Sequence, residues 1–297
     1  MDEKDWQVLK ALYEERSITK ASEQLYVSQP AITKRIQQME NEFQVNIVYR
    51  SKKGVTFTSE GEYLVEYAKQ MLNILQETKD HLQNFKNNKV QGNLRIGVSI
   101  NYAYKDLPGI LREFNESFPR VQTEVIPGYS SEVLKLLQSE QVQVAIVRGD
   151  FNWSGKTMKL KEESICIVSK EKINLQDLPS IPRVSFTTDP LLQHSLDSWW
   201  QENFSSPPLI SMEVGNSQIA IEMVSQGLGY AIVPSYCLSQ DMDLHIENLF
   251  YNNGRPLMRN TWLIYNEKEL VLATVREFSR LMEKYSLPTQ EMRMKQN

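Results

Sequence analysis

The chain has 297 residues, too many for one small domain and enough for two or three hydrophobic cores. Its 33 Lys and Arg stand against 37 Asp and Glu, a formal net charge of −4 that excludes an architectural nucleic-acid protein coated in positive charge. The acidic start, MDEKDW, and the absence of an apolar run as long as a membrane span exclude a secretory signal or a transmembrane anchor, so the protein is expected in the cytoplasm with no membrane partner.

Catalytic chemistry finds little support. His81, His194 and His245 do not sit at metal-ligand spacing, no G-x-S-x-G or phosphate loop occurs, and no carboxylate pair stands out. Neither a catalytic residue nor a metal site is expected. Cys166 and Cys237 lie far apart in the sequence without C-x-x-C spacing, and read as buried, inert thiols.

The first predicted elements are two short helices joined by a tight turn between Ile18 and Glu40. Ala21 and Leu25 share one apolar face, Val27 is expected in a buried turn position, and Ser28 stands where a helix N-cap belongs, able to accept from an early backbone N–H. Pro30 is tolerable in the first turn, and Ile32, Ile36 and Met39 continue the apolar face. Gln29, Thr33, Lys34 and Gln37 then point outward, as residues facing a DNA major groove would. Lys34, Arg35, Arg50, Lys52 and Lys53 form a local basic strip opposed only by Glu40 and Glu42, which suffices for phosphate contact in an acidic protein.

The string S-I-T-K-A-S-x-x-L-x-V-S-Q-P-A-I-T-K-R-I-x-x-M-E resembles the N-terminal signature of the LysR-type transcriptional regulators. The likeness continues through Phe43, Val45, Ile47 and Arg50 into Lys52-Lys53-Gly54-Val55 and Phe57-Thr58-x-x-Gly61, similar to the family's wing and the start of its linker helix. Ser22 stands where a second Ala is usual, and Val48 where an aromatic is commoner. The resemblance implies a winged helix-turn-helix (all-α with a β wing) over residues 1–58, with Ser28, Gln29, Pro30, Thr33, Lys34, Arg35, Arg50, Lys52 and Lys53 as the DNA-binding set. Double-stranded promoter or operator DNA is the implied partner, with RNA polymerase a further one.

From Glu60 to about Asn88 no Gly or Pro follows Gly61, and Leu64, Tyr67, Met71, Ile74 and Phe85 recur at helical spacing with charge between them. This predicts one long linker helix within 59–90 whose narrow apolar seam needs a partner. In the family the corresponding helix dimerises, so a homodimer, and a homotetramer from paired dimers, is expected; a helix packed on its own chain is the alternative.

After Gln91-Gly92 short strands alternate with amphipathic helices. Strands are predicted at Leu94 to Ser99, Val121 to Ile126 and Val142 to Val147, with helices at Leu107 to Asn115 and Ser131 to Leu137, a βαβ series with a parallel sheet. A second series has strands at Ile165 to Ser169, Arg183 to Phe186, Leu209 to Val214 and Gly229 to Pro234, with helices at Leu191 to Glu202 and Gln218 to Gln226. A strand at Asn260 to Tyr265 and a helix at Leu270 to Tyr285 close back on the first lobe. Residues 91–297 thus resemble the two-lobed α/β effector domain of LysR regulators, itself similar to periplasmic solute-binding proteins. The second lobe spans about 165–258, where the run from Met223 to Pro234 carries the likeness.

Ligands in such folds bind beyond the carboxyl ends of parallel strands, here facing across a cleft. Ser99, Asn101 and Tyr102 follow the first strand and Ser130 the second, at helix starts that favour an anion or merely cap the helix. Arg148, in V-R-G after the third strand, and Arg259, in P-L-x-R before the returning one, are candidate carboxylate clamps, with a surface or lobe-bridging salt bridge the alternative. Thr188 and Asn216 occupy analogous helix starts in the second lobe. The V-R-G and P-L-x-R pair resembles a citrate-responsive, catabolite-control branch of the family, which implies citrate or another polycarboxylate as effector and no other cofactor. A solute-binding-type ligand sensor without direct promoter control is the competing reading.

Overall fold

The computed structural model describes residues 1–51, 54–87, 90–239 and 242–287. Lys52 and Lys53 lie outside these described residues, as do the side chains of Arg50 and Phe85.

The N-terminal unit holds α1 (Glu3–Glu15), α2 (Ile18–Gln24), α3 (Gln29–Phe43) and an antiparallel hairpin of β1 (Val48–Ser51) and β2 (Gly54–Phe57). Apolar positions three and four apart supply one core: Leu9 and Leu12 from α1, Ala21 from α2, Ile32, Ile36 and Met39 from α3, and Val55 and Phe57 from the hairpin. Asp2 and Asp5 form a capping box that starts α1. The carbonyl of Arg16, in the left-handed region at φ 52°, accepts the Val55 N–H at 2.9 Å and so ties the wing to the end of α1.

Two local expectations in this unit are corrected. Val27 is 43% exposed, because the turn is closed by main chain, its N–H donating to the Ser22 carbonyl at 3.0 Å, and needs no side-chain anchor. Ser28 occupies the N-cap of α3 yet makes no side-chain capping bond.

The linker helix α4 (Ser59–Asn87) begins where Thr58 Oγ1 accepts the Gly61 N–H at 2.9 Å and donates to the Asn46 carbonyl at 2.6 Å. Gly61 permits the close crossing there, since a Cβ would lie 2.1 Å from the Ile47 carbonyl oxygen. Leu64, Val65 and Ala68 are buried in the DNA-binding core, so Leu64 does not belong to a free seam as expected. The first turns of α4 close the core over α1, and the exposed apolar stripe is displaced to Tyr63, Tyr67, Ile74 and Leu82, with Met71 half-buried beside it.

Beyond the linker come β3 (Gly92–Ser99), α5 (Ile100–Lys105), α6 (Leu107–Ser117), β4 (Val121–Gly128), α7 (Ser130–Gln138), β5 (Val144–Arg148) and β6 (Lys156–Ser169). They are followed by β7 (Arg183–Phe186), α8 (Pro190–Asn203), β8 (Ile210–Val214), α9 (Ser217–Ser225), β9 (Tyr230–Pro234), β10 (His245–Asn248), β11 (Met258–Tyr265) and α10 (Ala273–Glu283). The strands run in the order β4-β3-β5-β11-β6-β9-β7-β8, with β10 on β6. The β3–β4, β3–β5, β7–β8 and β7–β9 pairs are parallel, whereas β11 runs antiparallel to β5 and β6. Two βαβ lobes are thus joined by two long strands, and the carboxyl ends of the parallel strands face one another. Only the last five residues of β6 were expected as strand, because its first half, K-T-M-K-L-K-E-E, hides Met158 and Leu160 among charges.

The linker is bolted to the first lobe. Arg95 on β3 donates from Nη2 to Glu77 Oε1 at 2.6 Å, and Gln143 Nε2 donates to the same oxygen at 3.0 Å. Among the described residues, no helix is long and apolar enough to cross a membrane.

Candidate functional site

Strand ends from both lobes enclose a cavity of about 300 Å³. Seven of the eight expected residues line it: Ser99, Asn101, Ser130, Arg148, Thr188, Asn216 and Arg259. Tyr102 does not, and the expectation is corrected: α5 turns its ring into the core against the first-lobe sheet, where it is 2% exposed and burial pushes its phenol up.

The guanidiniums differ in their partners. Arg148 forms a buried ion pair with Glu163 of β6, its Cζ lies 4.7 Å from the Tyr236 ring centroid, and its Nη1 has no hydrogen-bond partner among the described residues. The lobe-bridging alternative therefore describes part of what Arg148 does. Arg259, 8% exposed, makes no hydrogen bond from its guanidinium among the described residues, and its Nε is buried and unpartnered. Burial foremost, and then the neighbouring Arg148 charge, lower its pKa to about 10. Glu163 is pushed up by burial, against the opposing pull of Arg148 and Arg259. The Ser99 hydroxyl is likewise buried without a partner. Buried groups left unsatisfied are costly, and a cavity that collects several has donors to offer a guest.

The helix starts behave otherwise than expected. Ser130 Oγ accepts the Arg148 N–H at 3.0 Å, and the Ser130 N–H donates at 2.5 Å to Asp189 Oδ2 of the second lobe. Asp189 Oδ1 meanwhile accepts the Leu191 N–H at 2.9 Å and caps α8. The Tyr129 N–H goes to Glu132 Oε2 at 2.9 Å, and Asn216 caps α9 by accepting from Ile219 at 3.0 Å. At the start of α7 the Tyr129 and Ser130 N–H groups thus go to the protein's own carboxylates. Asp189 was visible only as the close of Phe186-Thr187-Thr188-Asp189, where D-P signals an N-cap; Glu163 gave no signal inside a charge-rich strand.

From the second lobe, Tyr236 reaches back to the first lobe. Its hydroxyl donates to Asp106 Oδ2 at 2.5 Å, and Lys105 Nζ donates to its carbonyl at 2.6 Å. Lys161 pairs with Asp106. Cys166 and Cys237 are both free and buried, and burial pushes the Cys166 thiol up to about 12. No group of three or more His, Cys, Asp or Glu able to hold a metal occurs among the described residues.

On α3, Ser28, Gln29, Pro30 and Lys34 are exposed and Thr33 is half-buried, opposite the buried stripe of Ile32, Ile36 and Met39. Arg35 is held elsewhere. Its Nη1 donates to Asp5 at 2.6 Å and to Asp2 at 3.3 Å, bracing α3 against α1.

Residues 4–62 match the family model described as bacterial regulatory helix-turn-helix protein, lysR family, and residues 87–286, more than half the chain, match the LysR substrate binding domain. A Bacillus subtilis protein described as the uncharacterized HTH-type transcriptional regulator YraN is 45% identical over 94% of this chain and 96% of its own. A second from that organism, described as the uncharacterized HTH-type transcriptional regulator YkuM, is 29% identical over 93% and 94%. The crystal structure of full-length CbnR complexed with its target DNA has the same fold, at a TM-score of 0.68 and 18% identity over 96% of this chain and 100% of that one. These relatives lend no support to the narrower likeness to a citrate-responsive branch. They leave no doubt about the wider one: the chain belongs to the LysR family and is a DNA-binding transcriptional regulator with an effector-binding domain.

Proposed function

We propose that this regulator binds its operator as a homodimer joined through the exposed stripe of α4, and that a small carboxylate closing between the lobes controls it. Gln29, Thr33 and Lys34 read base edges in the major groove, and the wing, with Arg50, Lys52 and Lys53, contacts phosphate. The observation that carries the effector reading is Arg259: a buried guanidinium facing the cavity without an acceptor is stabilised by an anion. Ser99, Asn101 and Arg148 Nη1 would complete the seat. Pairs of dimers form the tetramer, and RNA polymerase is the further partner through which bound effector changes transcription.

Citrate is one acid of this kind, although a second carboxylate would need a second free cation, and Glu163 already pairs with Arg148. A signal requires the effector to bind one arrangement of the lobes better than the other. The test uses the full chain with a DNA fragment that the protein selects from random sequence, by gel shift at rising salt with and without a panel of carboxylates. The specific complex should outlast the random-DNA complex, and one carboxylate should alter it; equal loss of both complexes with salt would support the ligand-sensor reading instead.

A further inference from the structure

Resting on that carboxylate reading, we propose that the effector is a zwitterion, an α-amino acid or similar amino carboxylate, whose carboxylate meets Arg259 and Arg148 Nη1 and whose ammonium meets Asp189. In and directly behind the cavity lie Arg148 and Arg259 against Glu163 and Asp189, two cations and two carboxylates, all buried. Glu132, at the rim on the N-terminus of α7, adds a further carboxylate. Uncompensated charge is expensive in such a place. A di- or tricarboxylate would leave this set strongly negative, whereas a zwitterion leaves its balance unchanged.

The donors point the same way. A second carboxylate would need donors of its own, and at the start of α7 the Ser130 and Tyr129 N–H groups already go to Asp189 and Glu132. Asn216 takes the Ile219 N–H at the start of α9, and α5 is only six residues long. Of the two guanidiniums at the cavity, Arg148 pairs with Glu163 and only that of Arg259 has no acceptor among the described residues, which suits one carboxylate. On the acceptor side, the Asp189 carboxylate takes one N–H on each oxygen and a carboxylate accepts about four bonds, so it keeps capacity for an ammonium. Ile100 and Phe186 on the cavity wall offer apolar surface to an amino-acid side chain. The volume suits a molecule of that size.

Calorimetry on the full chain tests this with the twenty proteinogenic amino acids, their deamino analogues and a series including citrate, malate and succinate. At least one amino acid should bind, at least ten-fold more tightly than its own deamino analogue. Asp189→Asn should abolish that preference while the deamino acid still binds, Asp189→Glu should restore part of it, and Arg259→Gln should lose both ligands. If only di- or tricarboxylates bind, the zwitterion is wrong and the carboxylate reading stands. If an amino acid and its deamino analogue bind equally to the wild type, Asp189 has no ammonium role and the proposal fails. If no carboxylate of any class binds, both readings fall.

Discussion

The Ser130 N–H and the Asp189 carboxylate meet at 2.5 Å across the cleft, so a single side chain caps α8 and takes the first N–H of α7. Two helix dipoles of opposite lobes converge on one carboxylate. Replacing it removes a cap, worth about 1 kcal/mol, and orphans a buried N–H, worth about 1–3 kcal/mol. Asp189→Ala should therefore destabilise the effector domain by about 2–4 kcal/mol, read from chemical unfolding; a loss within about 0.5 kcal/mol would mean that the bond contributes nothing to holding the lobes.

On α3, Arg35 should behave differently from Gln29. Gln29→Ala is expected to weaken specific DNA binding by about 1–3 kcal/mol with little change on random DNA. Arg35→Ala, which cuts the ion pairs to Asp2 and Asp5, should lower the melting temperature and leave base preference intact. Binding curves on cognate and random duplexes, beside a thermal melt, separate these outcomes.

Dimerisation is expected to run through residues that α4 leaves exposed. Tyr67→Asp combined with Ile74→Asp should give monomers with a folded DNA-binding domain by sedimentation and circular dichroism. Leu64→Asp should instead unfold the N-terminal core, since Leu64 is 8% exposed and packs within it. An unchanged assembly in the double variant would move the interface to the effector domains.

Glu269, beside the joint between linker and effector domain, should make stability fall with pH. Burial first, and then the nearby Glu77 carboxylate, raise its pKa from the usual 4.5 to about 7. A carboxyl with a raised folded-state pKa holds its proton longer than the unfolded chain does, so stability declines as pH climbs from 4.5 through 7 and stays lowered above it. Glu269→Gln should thus be nearly neutral at about pH 4 and raise the melting temperature increasingly up to about pH 8. A pH-independent effect of the substitution would remove Glu269 as the source.

Local patterns were readable without the fold wherever neighbours along the chain carry the chemistry. The spacing of Ala21, Ile32, Ile36 and Met39 named the buried stripe of the helix-turn-helix, and the resemblance carried by Thr58-x-x-Gly61 marked the entry to α4, where Thr58 accepts the Gly61 N–H. The ends of β3, β4 and β5 brought Ser99, Ser130 and Arg148 to one cavity, since strand order and the handedness of βαβ units leave few alternatives. Periodicity says which residues share a face, however, and not which element covers that face. Spacing alone therefore puts Leu64 on a free seam, and the strand-end rule puts Tyr102 in the cleft, whereas the DNA-binding core and the first-lobe core claim them. Charge pairing was hidden for the same cause: Arg148 meets Glu163 15 residues on, and Ser130 meets Asp189 59 residues on, only after β6, β11 and the second lobe have closed around them. Sequence thus determined the family, the helix-turn-helix and the location of the cleft; tertiary closure decided which of the cleft's charges have partners and which do not, because a buried charge is defined by partners that folding alone brings within reach.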